Sequence, residues 1–374
     1  MKKLKVMTIV GTRPEIIRLS RVISLLDHYC DQCLVHTGQN YDYELNEIFF
    51  EQLRIRKPDF FLEASGHTAS QTIGNVISKS DCVMRQEKPD AVLLLGDTNS
   101  CLAAISAKRL KIPIFHMEAG NRCYDMRVPE EINRRIVDHT ADIHLTYSTI
   151  ARDYLLREGI AADQVIKTGS PMREVLNYYM PDIEKSDILT KMSLERNKYF
   201  LMSAHREENV DAPEKIETIA HIAGQLVERY DLPVIVSTHP RTRKRLEDAG
   251  LSEVKGVRFM KPFGFLEYVK LQMSAKAVLS DSGTITEESS ILSFPALNLR
   301  EVHERPEGFE EASVMFVGLN FERIVQGVAI LNDQVNSDLQ MVTDYKADNV
   351  SLKILRIIQS YTDFVNRKIW HKSV

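Results

Sequence analysis

A chain of 374 residues, 44% hydrophobic and 27% charged, has globular composition and the length of two ordinary domains. Its 48 basic and 52 acidic residues give a formal net charge of −4, which excludes a protein held on nucleic acid by bulk positive charge. Five cysteines are too few for a disulfide scaffold, no run of about 18 apolar residues could span a membrane, and the basic, apolar N-terminus meets Arg13, Pro14 and Glu15 instead of a cleavage site, so a cytoplasmic protein is expected.

Short β-branched runs alternate with longer amphipathic stretches along the whole chain. Lys5–Val10, Cys33–Thr37, Ala91–Leu95, Ile112–Phe115 and Ile143–Thr146 read as strands in the first half. Pro14–Tyr29 and Ser100–Leu110 have helical spacing between them. The second half repeats the style, with strands at Tyr199–Ser203, Pro233–Thr238, Val257–Met260, Ala277–Ser280 and Ala296–Leu299. Helices are predicted at Ala212–Tyr230 and Phe265–Ser274. Apolar strands alternating with helices mean parallel sheets covered on both faces. The expected fold is therefore α/β, with two doubly wound, Rossmann-like domains. The domain boundary is expected within Gly169–Asn197, which holds Gly169, Pro171, Pro181 and a polar run, so the domains are placed at 1–172 and 173–374. Leu352, Leu355, Ile358, Tyr361 and Val365 predict a final helix at about 350–368 that packs back on the first domain.

Ligands of open parallel sheets bind at the carboxyl ends of strands, so the residues following each strand are the candidates. Gly11-Thr12-Arg13-Pro14-Glu15 follows the first strand. Pro14 suits a first helical position, with Thr12 or Arg13 at the cap. Free amides and Arg13 there would suit a phosphate; an ordinary strand-to-helix turn accounts for the same residues. Neither a G-x-G-x-x-G nor a G-x-x-x-x-G-K-[ST] sequence occurs, which speaks against dinucleotide and P-loop sites. Ser280-Asp281-Ser282-Gly283-Thr284 opens a helix in the second half and could cradle a diphosphate. Thr284 with Glu287 also fits a capping box.

Three first-half carboxylates stand in similar places: Asp97 in Gly96-Asp97-Thr98, Glu118 in His116-Met117-Glu118-Ala119-Gly120, and Glu130 in Pro129-Glu130-Glu131. Helix capping and pairing with Arg at i+4 explain Asp97 and Glu130 without chemistry. Converging on one crevice, the same carboxylates would supply acid and base. His205, in Ser203-Ala204-His205-Arg206, follows a strand of the second half, and Arg305 lies shortly after another. Cys30 and Cys33 form a C-x-x-C without a second pair or a His cluster, and are read as structural thiols.

Eight segments occur in order: Gly11-Thr12-Arg13-Pro14-Glu15, Thr37-Gly38-Gln39, Gly96-Asp97-Thr98, Glu118-Ala119-Gly120, Pro129-Glu130-Glu131-x-Asn133-Arg134, His205-Arg206-x-Glu208-Asn209, Ser280-Asp281-Ser282-Gly283 and Glu304-Arg305-Pro306-Glu307. Over nearly its whole length the chain thereby resembles the non-hydrolysing UDP-N-acetylglucosamine 2-epimerase family. The stretch from Glu118 to Arg135 is similar to the branch of bacterial UDP-N-acetyl-L-fucosamine synthases. Those enzymes act on UDP-2-acetamido-2,6-dideoxy-L-talose for capsule and O-antigen precursors. The link between Gly120 and Pro129 is shorter than in the N-acetylglucosamine enzymes, which implies a reshaped sugar pocket. Asn40-Tyr41 stands where those enzymes carry a His, Thr284 replaces a Gly, and Glu207 replaces an Arg.

The resemblance implies two Rossmann-like domains facing across a cleft, as in B-type glycosyltransferases. It implies elimination of UDP across C1–C2 to a glycal, then re-addition with the proton delivered to the other face. Asp97, Glu118 and Glu130 carry over as acid/base groups, with His205 as a diphosphate partner or proton carrier. Arg13, Ser282, Gly283, Thr284, Glu288 and Arg305 carry over as UDP ligands. No metal and no cofactor is implied; the expected partners are a UDP-sugar and a second copy in a homodimer, without nucleic acid or membrane. The alternatives are UDP-N-acetylglucosamine or UDP-N-acetyl-L-rhamnosamine 2-epimerisation, a B-type glycosyltransferase, or a nucleotide-sugar sensor. The three carboxylates count against the last two.

Overall fold

The computed structural model describes residues 2–39, 49–204, 213–238, 245–246, 250–251, 253–300, 304–333 and 340–373. It divides into two compact units, Met1–Tyr178 with Asp344–Val374, and Tyr179–Thr343.

The sheet of the first unit comprises β1 (Lys5–Val10), β2 (Asp31–His36), β3 (Phe60–Phe61), β4 (Ala91–Leu95), β5 (Ile114–Met117), β6 (Ile143–Thr146) and β7 (Val165–Lys167). Their spatial order is β3-β2-β1-β4-β5-β6-β7, with every pairing parallel. The sheet of the second unit comprises β8 (Phe200–Ser203), β9 (Val234–Ser237), β10 (Val257–Met260), β11 (Ala277–Ser280), β12 (Ala296–Asn298) and β13 (Met315–Phe316), in the order β10-β9-β8-β11-β12-β13. Again all pairings are parallel.

Strand periodicity explains why both faces need cover. Phe200, Met202, Val234, Val236, Ala277 and Leu279 enter one core of the second unit, while Tyr199, Leu201, Ile235 and Val278 enter another. Alternate side chains point to opposite faces, so every residue of such a run is buried. In the first unit the helix Ala69–Glu87 places Val76, Val83 and Met84 against Val92, Leu94 and Ile114. Among the described residues no helix is long and apolar enough to cross a membrane.

The proline-marked stretch after Gly169, where the boundary is expected, is helical. Met172–Lys185 is helical with Pro181 inside it, and the two units divide at Tyr178/Tyr179 within it. Its Val175, Leu176, Tyr179 and Ile183 are fully buried, and this apolar stripe keeps the helix despite the proline. The last helix, Val350–Lys368, packs on the helix Arg13–Tyr29. Ser351 donates its amide to Glu174 (2.8 Å), and Lys353 Nζ donates to Thr168 O (2.9 Å). Its buried face is Ile354, Leu355, Ile358, Thr362 and Val365, whereas Leu352 is exposed and Tyr361 half-buried. All five cysteines are free, with Cys30 and Cys33 buried.

Each sheet has a point where the strand order reverses, β1/β4 in the first and β8/β11 in the second. Connections leave such a point in opposite directions and open a crevice at the carboxyl ends. Just beyond β5, Gly120 has φ +82°, and a Cβ there would stand 2.3 Å from the Ala151 carbonyl oxygen. Gly159 has a similar φ of +89° with nothing within 4 Å. Gly120→Ala should therefore lower stability by about 2 kcal/mol or more, and Gly159→Ala by about 1. Urea midpoints check this; equal shifts would contradict it.

Candidate active site

The crevice of the first unit is built from the neighbouring ends of β2, β1, β4 and β5. Thr12, extended at φ −137°, caps the helix Arg13–Tyr29, and Pro14 follows in its first turn. One turn on, Glu15 reaches back over the helix start. Its carboxylate accepts the amides of Gly11 (2.5 Å) and Thr12 (3.2 Å) and the hydroxyls of Thr98 and Ser100. The amides that suggested a phosphate cradle after β1 are thus occupied by the chain's own carboxylate. Arg13 holds its guanidinium 5.6 Å from the Phe49 ring centre. From the end of β2, Gln39 donates to the Thr98 hydroxyl (3.2 Å). Glu15 is 2% exposed, and its burial outweighs the Thr98, Gly11 and Thr12 hydrogen bonds, pushing its pKa up to about 7.

Asp97 and Glu118 follow the adjacent strands β4 and β5. Thr98, not Asp97, caps the short 3-10 turn Asn99–Ala103, which leaves the Asp97 carboxylate for other partners. Asp97 Oδ2 accepts from Arg134 Nε at 2.6 Å, and its carbonyl accepts from Asn133 Nδ2 at 2.9 Å. Glu118 has a left-handed backbone, φ +63°, and its buried carboxylate pairs with Arg18 and accepts from Asn121 (3.2 Å). A Cβ added to Gly96 would lie 3.8 Å from Glu118 Oε2, so the turn carrying Asp97 abuts the Glu118 carboxylate.

Glu130 and Glu131 open the helix Pro129–Thr140 but have different surroundings. Glu130 is half-buried, whereas Glu131 is fully buried. Glu131 accepts from the Cys123 amide (3.0 Å), Arg134 Nη1 (3.2 Å) and Arg135 Nη2 (3.0 Å). The i,i+4 pairing expected of these acids is therefore made by Glu131 with Arg135, while Arg134 bridges Glu131 and Asp97.

Beneath these turns lies a second layer of buried charge. Asp138 takes His116 Nδ1 on Oδ1 (2.9 Å), and the Gly120 amide (3.1 Å) and Arg122 Nη1 (2.7 Å) on Oδ2. Arg122 closes on Glu158 through Nε (2.8 Å) and Nη2 (2.7 Å). Burial raises the Asp138 pKa, but the His116 hydrogen bond and the His116 and Arg122 charges outweigh it and hold the carboxyl below the usual range.

In the second unit, Ser282-Gly283-Thr284 follows β11. The amide of Ser282 donates to Ser280 Oγ (3.1 Å), that of Thr284 to Ser282 Oγ (3.3 Å), and the Ser282 and Thr284 hydroxyls lie 2.9 Å apart. The capping box expected of Thr284 and Glu287 does not form. Thr284 has a helical backbone with no side-chain cap bond, and Glu287 instead pairs with Arg305 at 3.2 Å. Glu288 is buried and accepts from Gln272 Nε2 at 2.6 Å. His205, with Asn40, Tyr41, Glu207 and Glu208, lies outside the described residues.

The structure therefore brings Asp97 and Glu118 together and sets Glu130 at the head of the helix that supplies Arg134. Strand-end reasoning missed Arg18, His116, Arg122, Glu131 and Asp138. His116 alone carried a signal, since strand alternation puts it on the face of Glu118. Arg18 and Asp138 come from helix interiors, Glu131 from a first helical turn and Arg122 from a loop.

A family model described as UDP-N-acetylglucosamine 2-epimerase matches residues 26–359. The UDP-N-acetylglucosamine 2-epimerase of Methanocaldococcus jannaschii is 36% identical over 338 residues, 88% of this chain and 92% of that protein. A UDP-2,3-diacetamido-2,3-dideoxy-D-glucuronate 2-epimerase of Pseudomonas aeruginosa is 34% identical, over 86% of this chain and 91% of that one. Among solved structures, that of UDP-N-acetylglucosamine 2-epimerase from Rickettsia bellii superposes with a TM-score of 0.92 at 53% identity, covering 99% of this chain and 100% of that chain. The M. jannaschii enzyme in complex with UDP-GlcNAc and UDP gives 0.89 at 34% identity, covering 96% and 100%.

Glu15 gives a pH test of the geometry. Its folded pKa of about 7 lies above the ordinary glutamate value of 4.5, so protonation favours the folded state. The contribution is full below about pH 4.5 and is lost as pH rises through about 7, amounting to about 3 kcal/mol. Relative to Glu15→Gln, the natural chain should lose stability between pH 5 and 7.5, read from urea midpoints. A difference independent of pH would contradict the assignment.

Proposed function

The chain belongs to the UDP-N-acetylglucosamine 2-epimerase family, and from that premise we propose that it inverts C2 of a UDP-2-acetamido-2,6-dideoxy-L-hexose, L-talo to L-fuco, giving UDP-N-acetyl-L-fucosamine. It is an isomerase of UDP-sugars. The observation that carries the chemistry is the neighbouring pair Asp97 and Glu118 at the ends of β4 and β5, each held by its own arginine.

C2 of a 2-acetamido sugar is not adjacent to a carbonyl, so its proton is not acidic enough for simple removal and return. Elimination of UDP across C1–C2 avoids that difficulty. One carboxylate takes the C2 proton as the C1–O bond breaks, leaving a glycal. UDP then re-adds as a second group returns a proton to the opposite face. Asp97, Glu118 and Glu130 are proposed for these transfers, with His205 assisting at the diphosphate. Arg13, Ser282, Gly283, Thr284 and Arg305 are proposed as phosphate ligands and Glu288 as the ribose ligand. The Ser282 and Thr284 amides are satisfied by hydroxyls, so a diphosphate there would exchange one set of acceptors for another.

The short link between Gly120 and Pro129 supports the 6-deoxy sugar. UDP-N-acetylglucosamine is the second reading, supported by the substrates named for the relatives. A cytoplasmic homodimer supplying capsule or O-antigen precursors belongs to the same proposal.

Incubation with each UDP-sugar in D2O, followed at C2 by NMR, tests it. Epimer formation with deuterium at C2 is expected from the L-talo sugar. Turnover of UDP-N-acetylglucosamine alone would replace the L-talo reading, and UDP release without C2 exchange would replace epimerisation by transfer or hydrolysis. Asp97→Asn should retain UDP binding and slow C2 exchange by roughly 100-fold or more. Unchanged exchange would remove Asp97 from the acid/base set.

A further inference from the structure

We propose that His116 and Asp138 are positioning residues that set the placement of Asp97 and Glu118 from beneath, a proposal that rests on the acid/base reading above. His116 lies on β5 two residues before Glu118 and is 1% exposed. Its Nε2 stands 2.8 Å from the carbonyl oxygen of Gly96, the residue before Asp97. Its Nδ1 stands 2.9 Å from Asp138 Oδ1. Both partners are acceptors, so the ring bridges the Gly96 carbonyl and the Asp138 carboxylate. The other Asp138 oxygen accepts from Gly120, two residues after Glu118 (3.1 Å). One side chain, Asp138, therefore governs both turns: directly at Gly120, and through His116 at Gly96.

Charge and backbone geometry both fit this role. Arg122 sets its guanidinium between the carboxylates of Asp138 and Glu158, so the buried Asp138 charge has a cation against it. Gly96 and Gly120 have φ of +74° and +82°, so the acids leave their strands on turns whose direction strand pairing does not set. An apolar cluster of equal volume would match the stability of buried ion pairs. It could not clamp a carbonyl of one turn and an amide of the next at a fixed separation. That matters because a displacement of about 1 Å at reacting groups costs about 100-fold in rate.

The test uses His116→Gln, which can still donate to Gly96 but has no second ring nitrogen for Asp138, and Asp138→Asn, which keeps shape and loses charge. Both should lower kcat roughly 10- to 100-fold and leave KM within about threefold, because neither residue is among the proposed UDP ligands. Both should also raise the fraction of turnovers that end in free UDP and glycal, since re-addition needs both carboxylates in place. Unchanged kcat and unchanged partition in folded variants would overturn the proposal. So would kcat and KM changing in proportion with the partition unchanged, or loss of the fold in His116→Gln, since each assigns the couple to general structure. Asp97→Asn separates the two layers. If it keeps C2 exchange, the acid/base reading fails. If it stops exchange while His116→Gln and Asp138→Asn are neutral, only the positioning role fails.

Discussion

A carboxylate taken out of water needs a cation or a set of donors, and the carboxyl end of the first unit's sheet is organised around that need. Glu118 is paired with Arg18, Asp97 and Glu131 share Arg134, and Asp138 lies between His116 and Arg122. Among the described residues Glu15 is satisfied by amides and hydroxyls, and its pKa rises to about 7. The contrast between Glu15 and Asp138, both buried, shows the nearby cation deciding the direction of the shift.

These pairs also tie chain segments that are distant in sequence. Arg18 is on the first helix, Arg134 on the helix before β6, and the acids they hold follow β5 and β4. Breaking any one of them leaves a buried charge uncompensated, at a cost of about 3–5 kcal/mol. The same bonds that keep the acids in place therefore hold helices to the sheet end. Structural and chemical demands coincide there.

The second unit follows a similar rule with different partners. Glu287 pairs with Arg305, Arg300 with Glu304 and Glu288 with Gln272, while the turn after β11 satisfies two of its amides with serine hydroxyls. Its switch point lies at β8/β11, and Ser282 follows β11 directly, as Asp97 follows β4 in the first unit. Both units thus place their candidate residues by one topological feature, although the chemistry they carry there differs.

Much of this was legible in the sequence, because continuous apolar strands and strand-end turns are local signals. Lys5–Val10, Ala91–Leu95, Ile143–Thr146, Val257–Met260 and Ala277–Ser280 are strands with the predicted bounds. Phe60–Phe61, Val165–Lys167 and Met315–Phe316 went unpredicted because strands of two or three residues are too short to show a period. Pro171 and Pro181 marked the domain boundary, and burial of Tyr179 and Ile183 keeps a helix running through it. By itself the sequence determined the α/β class, the strand-end candidates and the family resemblance, since each depends on residues close together along the chain. Only the tertiary structure decided that Glu15 fills the amides of its own turn, that Glu287 serves Arg305, and that His116 and Asp138 join two strand ends. Those contacts join residues up to 22 positions apart, and which donor meets which acceptor is set by how the helices pack on the sheet.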